Sequence, residues 1–307
     1  MSPAANDFGR VAVLMGGWAN EREVSLVSGN AVLEALQRRA VDAVGIDVKR
    51  DVIGILQAGN FDRVFNVLHG RGGEDGVIQG LLDVMRLPMT GSGVLGSALA
   101  MDKYRSKLLW RGLGLPTPAA VLIDGPDDRA RAETLGFPLM VKPALEGSSI
   151  GLSKVADGAG LEAAWRQAAA CGGHVMAERW ITGREFTVGR LGDRCLPLIG
   201  LETAHSFYDY EAKYVSDDTR YLLPCGLDAA LEEELKGIAM QAFDSLGATG
   251  WGRVDIMLDT HDAPWLIEVN TVPGMTDHSL VPMAAAAAGL DFDELVWRIL
   301  AQTAEVA

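Results

Sequence analysis

The sequence Gly250-Trp251-Gly252-Arg253-Val254-Asp255-Ile256-Met257-Leu258 is followed, after Thr260-His261-Asp262-Ala263, by Pro264-Trp265-Leu266-Ile267-Glu268-Val269-Asn270. Apolar and other residues alternate in both segments with a period of two, and turn formers lie between them, so the two read as the strands of a hairpin. That period puts Val254, Ile256 and Leu258 on one face of the first strand and Arg253 and Asp255 on the other. In the second strand, Ile267 and Val269 oppose Leu266, Glu268 and Asn270. One face thus gathers an arginine, two carboxylates and an amide. Burying two carboxylates side by side costs several kcal/mol unless a cation joins them, and such oxygen ligands suit Mg²⁺ with phosphate completing its shell. For two strands alone, a solvated outer sheet face fits as well as a metal site.

A chain of 307 residues exceeds the size that one core usually serves, which points to two or three subdomains with crevices between them. Its composition is globular, 49% hydrophobic and 22% charged, with 36 glycines available for loops. A formal net charge of −14 argues against nucleic-acid and anionic-membrane partners, so any anionic substrate must meet locally placed Lys and Arg. Cys171, Cys195 and Cys225 are widely spaced, form no Cys-x-x-Cys pair and read as reduced core thiols. The apolar runs Val11–Met15 and Met283–Leu290 are too short for a signal sequence or a membrane span, which fits a soluble cytoplasmic protein.

Upstream of the hairpin, Val11–Met15 is a short strand followed by Gly16-Gly17 and by Glu21-Arg22-Glu23-Val24-Ser25, which opens a helix to about Arg39. Strand, glycine turn and helix begin a βαβ unit. A second strand, Arg63–Leu68, ends in His69, and Gly70-Arg71-Gly72-Gly73-Glu74-Asp75-Gly76 leads into a helix through Leu82 and Met85. Ligands in open α/β sheets lie beyond the carboxyl ends of the strands, so Glu21 and His69 are expected to face one crevice. Gly91-Ser92-Gly93-Val94-Leu95-Gly96 matches the dinucleotide pattern G-x-G-x-x-G, but no acidic residue ends a following strand about 20 residues on. These glycines read instead as a tight approach to a helix from Ser97 to Gly112.

Phe137–Pro143 and Leu152–Val155 read as strands joined by Ala144-Leu145-Glu146-Gly147-Ser148-Ser149-Ile150-Gly151, a Gly-Ser flap able to lie over phosphates. A helix Leu161–Ala170 and a strand His174–Glu178 follow. Strands at Glu185–Gly189 and Leu196–Leu201 precede a polar and aromatic stretch, Thr203–Asp218, of a length typical of lids. Leu231, Leu235, Ile238, Ala242, Phe243 and Leu246 then line one face of a helix that Gly247 stops. The expectation is an α/β chain with an N-terminal open parallel βαβ domain at 1–100 and two α+β domains at 101–180 and 181–307.

After Asn270 the chain continues Thr271-Val272-Pro273-Gly274-Met275-Thr276-Asp277-His278-Ser279-Leu280-Val281-Pro282. Together with Glu21–Ser25, His69–Gly76 and Phe207-Tyr208-Asp209-Tyr210-Glu211-Ala212-Lys213-Tyr214, this closely resembles the D-alanine–D-alanine ligases of the ATP-grasp superfamily, from about Val11 to Leu300. Two departures are visible. Trp18-Ala19-Asn20 stands where the family often has small polar residues, and Val272 stands where Ser is common. The resemblance implies a three-domain ATP-grasp architecture whose two α+β domains sandwich ATP, and a homodimer. It also implies an enzyme that joins two D-alanines for peptidoglycan precursors, by way of an acyl phosphate, while splitting ATP to ADP and phosphate.

By the same resemblance, Asp255, Glu268 and Asn270 are the ligands of two Mg²⁺, for which Mn²⁺ can substitute, with Glu268 bridging the ions. Arg253 stabilises the acyl phosphate and the oxyanion, and a planar fixed cation suits both. Lys103 and Lys142 bind the ATP phosphates beneath the flap of Gly147, Ser148 and Ser149. Glu178 and the backbone of Trp180 and Ile181 meet the adenine, and Glu185 the ribose. Glu21, beside Val24 and Ser25, holds the ammonium of the first D-alanine, and His69 lines that subsite. Gly274, Ser279 and the Leu280 N–H receive the second carboxylate. Lys213 reaches phosphate when the long loop closes, and Tyr214 joins Glu21 and Ser148 in a hydrogen-bonded set that excludes water. Ligases that make the D-alanyl–D-lactate ester typically replace that tyrosine, so Tyr214 favours the dipeptide. A P-loop kinase is disfavoured because no Lys follows a Gly anywhere in the chain.

Overall fold

The computed structural model describes residues 3–125, 128–147, 151–202, 219–276 and 278–304. Its first sheet is built from β1 (Arg10–Gly16), α1 (Arg22–Arg38), β2 (Asp42–Val48), α2 (Val52–Gly59) and β3 (Arg63–Asn66), with the strands parallel in the order β2-β1-β3. Neither β2 nor α2 figures in the sequence expectation, because Gly45 interrupts the one and Gly54 the other. Next come α3 (Val77–Val84), α4 (Val94–Met101) and α5 (Lys103–Gly112). The last two replace the single helix expected from Ser97 to Gly112. Asp102 breaks it: its ψ of 90° is extended, and its carboxylate caps α5 by accepting the Arg105 N–H at 2.9 Å.

A second sheet holds β4 (Ala120–Ile123), β5 (Leu139–Pro143), β6 (Ser153–Val155) and β7 (Val175–Arg179), with α6 (Arg129–Glu133) and α7 (Leu161–Ala170) in its connections. Its order is β4-β7-β5-β6, all antiparallel. The third contains β8 (Gly183–Leu191), β9 (Arg194–Cys195), β10 (Ile199–Glu202), β11 (Arg220–Leu222), β12 (Trp251–Asp259) and β13 (Pro264–Asn270), with α8 (Ala229–Ser245) packed on it. Here the order is β11-β10-β8-β12-β13, with β9 on β8. The chain closes with α9 (Leu280–Ala287) and α10 (Phe292–Ala301), which return to the first sheet: α10 packs on α1, and the rings of Phe8 and Trp297 meet edge-on at 4.9 Å. A parallel N-terminal sheet with antiparallel sheets after it is the α/β arrangement expected. No helix among the described residues is long and apolar enough to cross a membrane.

The hairpin forms as read, with one change that matters. Arg253 pairs with Asn270, Val254 with Val269 and Asp255 with Glu268, but a bulge follows and Ile256 pairs with Leu266. Ile267 is therefore an extra residue, and strict alternation fails from there on. Leu266 turns away from Glu268 into the core, where it is fully buried with Ile256, Leu258, Phe243 and Trp110. The charged face is thus confined to the end of the hairpin where Arg253 pairs with Asn270 and Asp255 with Glu268.

The glycines of the dinucleotide-like pattern divide by role. Gly91 sits at φ +87°, a conformation costly for other residues, whereas a Cβ on Gly93 would meet nothing within 4 Å. A Cβ on Gly96 would lie 2.5 Å from the Gly247 carbonyl oxygen and 2.7 Å from the Ala248 Cα, so α4 approaches that turn at backbone distance. Backbone cannot yield as a flexible side chain does. Gly96→Ala is expected to lower the unfolding free energy by about 1–3 kcal/mol and Gly93→Ala, where only the helix cap changes, by less than about 1 kcal/mol. Urea titration checks both, and equal midpoints for the two variants would contradict the packing role of Gly96.

Candidate active site

One cleft collects residues from all three sheets. The carboxyl ends of β1 and β3 supply Glu21, His69 and Gly70, α5 supplies Lys103, the base of the flap supplies Gly147, and the hairpin supplies Arg253, Glu268 and Asn270. Gly274, Ser279 and Leu280 close it from the loop into α9. The crevice expected for Glu21 and His69 is therefore the one the hairpin faces.

Each hairpin carboxylate has its own cation. Arg253 donates to Asp255 through both Nε (2.8 Å) and Nη2 (2.9 Å), and Asp255 Oδ1 also accepts the Thr187 hydroxyl at 2.9 Å. Lys103 Nζ lies 3.3 Å from Glu268 Oε2 and donates to the Glu146 carbonyl at 2.7 Å. These pairs compensate the burial of both carboxylates, so burial alone does not require a metal there. The donor set still fits one. Asp255 and Glu268 are direct cross-strand partners, Asn270 stands opposite Arg253, and all three offer hard oxygens, the type Mg²⁺ and Mn²⁺ take. Asn270 Oδ1 accepts the Val272 N–H at 3.0 Å, which fixes the amide at the strand end.

The Glu21 carboxylate is buried against two glycines. A Cβ at Gly70 would lie 2.6 Å from its Oε2, and one at Gly147 would lie 2.9 Å from its Oε1. Loop, helix start and flap base therefore converge on one negative group. His69 is 7% exposed, with Nδ1 3.7 Å from Glu74 Oε1, and its buried Nε2 has no hydrogen-bond partner among the described residues. Such an orphaned ring nitrogen at a cleft wall suits a polar ligand.

Val24 and Ser25 are not brought to the cleft. Ser25 is fully buried, donates to the Val67 carbonyl at 2.6 Å and accepts the Gly16 N–H at 2.9 Å, so it staples the ends of β1 and β3 instead of meeting a substrate. Ser28, one turn on, accepts the Met275 N–H at 3.0 Å and anchors the closing loop. In that loop Ser279 Oγ accepts the Thr276 N–H at 2.9 Å, and Gly274 leaves space for it, since a Cβ there would lie 2.8 Å from the same oxygen.

Lys142 and Glu178 lie on neighbouring strands outside this cleft, in ion-pair contact at 2.5 Å. Burial pushes the Glu178 carboxyl up, but the ammoniums of Lys107 and Lys142 outweigh it and hold the group below its usual range. The Trp180 N–H donates to the Pro138 carbonyl at 3.1 Å, and its ring carries Lys154 Nζ at 4.1 Å from the centroid. Ile181 is buried next to it, and Glu185 sits half-buried on β8 opposite Met257. Ser148, Ser149, Lys213 and Tyr214 lie outside the described residues.

Sequence reading assigned no role to Glu74, Glu146 or Lys107. Glu146 receives Arg71 Nε at 3.1 Å, and burial, with Glu21 adding and Arg71 opposing, pushes its carboxyl up. Lys107 had a signal, since it stands one helical turn after Lys103 and shares its face.

A family model described as the D-ala D-ala ligase C-terminus matches residues 109–301, and one described as the D-ala D-ala ligase N-terminus matches residues 53–92. The chain belongs to the D-alanine–D-alanine ligase family. Among these ligases it is similar to that of Methylococcus capsulatus, 61% identical over 297 residues that make up 96% of each chain. It is likewise similar to that of Stutzerimonas stutzeri, 60% identical over 97% of this chain and 96% of the other. Of solved structures, the Bacillus anthracis D-alanine–D-alanine ligase complexed with ATP superposes with a TM-score of 0.83 at 30% identity, covering 97% of this chain and 98% of that one. An Enterococcus faecalis D-Ala:D-Ser ligase reaches a TM-score of 0.84 at 28% identity, covering 96% and 99%. ATP-grasp architecture is common to these ligases and to the present chain.

Proposed function

We propose that this chain joins two molecules of D-alanine, with ATP split to ADP and phosphate, to supply peptidoglycan precursors. The observation that carries this is one cleft that holds Arg253, itself bonded to Asp255, with Glu268 and Lys103 and the buried Glu21, in a chain 61% identical to a D-alanine–D-alanine ligase. A carboxylate is a poor acylating agent because oxide is a poor leaving group. Its oxygen therefore attacks the γ-phosphorus of ATP, ADP leaves, and an acyl phosphate forms. The amine of the second D-alanine then attacks the acyl carbon, loses a proton, and phosphate departs. Negative charge gathers on phosphoryl oxygens in the first step and on an oxyanion in the second, so fixed cations dominate catalysis.

Glu21 pairs with the ammonium of the first D-alanine, and the His69 Nε2 at the cleft wall hydrogen-bonds beside it. Arg253, held flat by its two bonds to Asp255, faces the acyl phosphate and the oxyanion. Ser279 and the Leu280 N–H, at the start of α9, take the carboxylate of the second D-alanine. Asp255, Glu268 and Asn270 would hold divalent metal, which supplies positive charge against the phosphates. Lys103 and Lys142 serve the phosphates, Gly147 with Ser148 and Ser149 covers them, and Glu178, Trp180, Ile181 and Glu185 hold the nucleoside. Lys213 and Tyr214 belong to the closing lid. A homodimer in the cytoplasm completes this reading, and a single-chain mass by light scattering would contradict the dimer.

Phosphate release measured with D-alanine, D-serine, D-lactate and L-alanine tests the substrate. D-alanine alone is expected to sustain turnover. Turnover only when D-serine or D-lactate is added as acceptor would replace the dipeptide reading with that of a mixed ligase.

A further inference from the structure

We propose that Lys107 is a positioning residue of the nucleotide site, the ammonium that keeps Glu178 paired when Lys142 turns from that carboxylate to bound nucleotide. This rests on the nucleotide site proposed above. Lys107 is 1% exposed on α5, with Nζ 3.0 Å from Glu178 Oε2, and it donates to Thr117 Oγ1 at 3.1 Å and to the Leu266 carbonyl at 3.2 Å. Thr117 in turn donates to the same carbonyl at 2.8 Å. Lys142 Nζ lies 2.5 Å from the other oxygen, Glu178 Oε1. One buried carboxylate therefore holds two ammoniums, one on each oxygen.

Such an arrangement carries a surplus positive charge away from water, which is unfavourable until an anion arrives. Burial pushes the Lys107 ammonium down to about 8 against the pull of Glu178, with Lys142 adding to the push. The two lysines differ in freedom. Lys107 is held by hydrogen bonds to Thr117 before β4 and Leu266 on β13 and by the charge of Glu178 on β7, whose Oε2 accepts no hydrogen bond among the described residues. Among the described residues Lys142 has the single ion pair to Glu178, and its strand ends at Pro143, where the Gly-Ser segment begins. Lys142 is the one placed to move to phosphate. Without Lys107, that move would strand a buried carboxylate, so nucleotide binding would carry the cost. Because its partners lie in both antiparallel sheets, Lys107 also fixes the floor between them.

The test begins with ADP binding to the unmodified chain by calorimetry; absence of binding would defeat the nucleotide-site reading itself. With binding established, Lys107→Met is expected to raise the KM for ATP about tenfold or more, since truncating one partner of a buried charge pair is costly. The KM for D-alanine should move by less than about twofold, as additivity holds for distant groups. An unchanged KM for ATP, or equal rises in both constants, would overturn the positioning role. Should Lys107→Met not fold, Thr117→Val decides. By loosening the tether of Lys107 it should raise the KM for ATP about threefold, a loss in the range of one hydrogen bond, and an unchanged value would overturn the proposal.

Discussion

Arg253→Ala is expected to lower kcat by about 10²–10³-fold, the loss typical when one preorganised donor to a developing oxyanion is removed. ADP binding should survive. Asp255 loses its two bonds from Arg253 but keeps the Thr187 hydroxyl at 2.9 Å, so the strand that would hold the metal stays in register. Arg253→Lys should not restore the rate, because an ammonium cannot make the paired Nε and Nη2 contacts to Asp255 that fix the guanidinium. Single-turnover kinetics with saturating ATP checks this. A kcat within about tenfold of the unmodified chain would remove Arg253 from the charge-stabilising role.

Glu268→Gln is the second large change. It keeps the shape of the side chain and removes the charge that faces Asp255 across the hairpin and pairs with Lys103 at 3.3 Å. The Mg²⁺ concentration for half-maximal turnover should rise by at least about 10–100-fold, the range seen when groups merely supporting a metal ligand are lost. Titrating Mg²⁺ at fixed ATP measures it. An unmoved midpoint would mean that Glu268 serves Lys103 alone and that metal sits elsewhere.

Much of the fold follows from periodicity. The hairpin, α1, α7 and α8 lie where apolar spacing puts them, because each buries one face against a sheet. What periodicity missed has local causes. The bulge at Ile267 reverses the facing of Leu266, and one residue of slip is invisible in a pattern of period two. Asp102 splits a continuous helical pattern because its side chain caps the second half better than it continues the first. The charged face of the hairpin was legible, yet its counter-charges were not: Lys103 reaches Glu268 across a separation that no local pattern reports. Lys107 shares the helix face of Lys103, but its contact with Glu178 is a tertiary one that the spacing does not report. Ser25 shows the converse, a polar residue beside a site motif that serves the backbone of two strands.

The most direct test of the account follows the oxygen. With D-alanine carrying a heavy-oxygen label in its carboxylate, transfer of that oxygen to the attacked phosphorus leaves one labelled atom in each phosphate released, and mass spectrometry of the phosphate reads it. One label per phosphate, formed in step with D-alanyl-D-alanine, is the result expected of ligation through an acyl phosphate. Unlabelled phosphate at the same rate of turnover would show that water, not the D-alanine carboxylate, attacks ATP, and would contradict it.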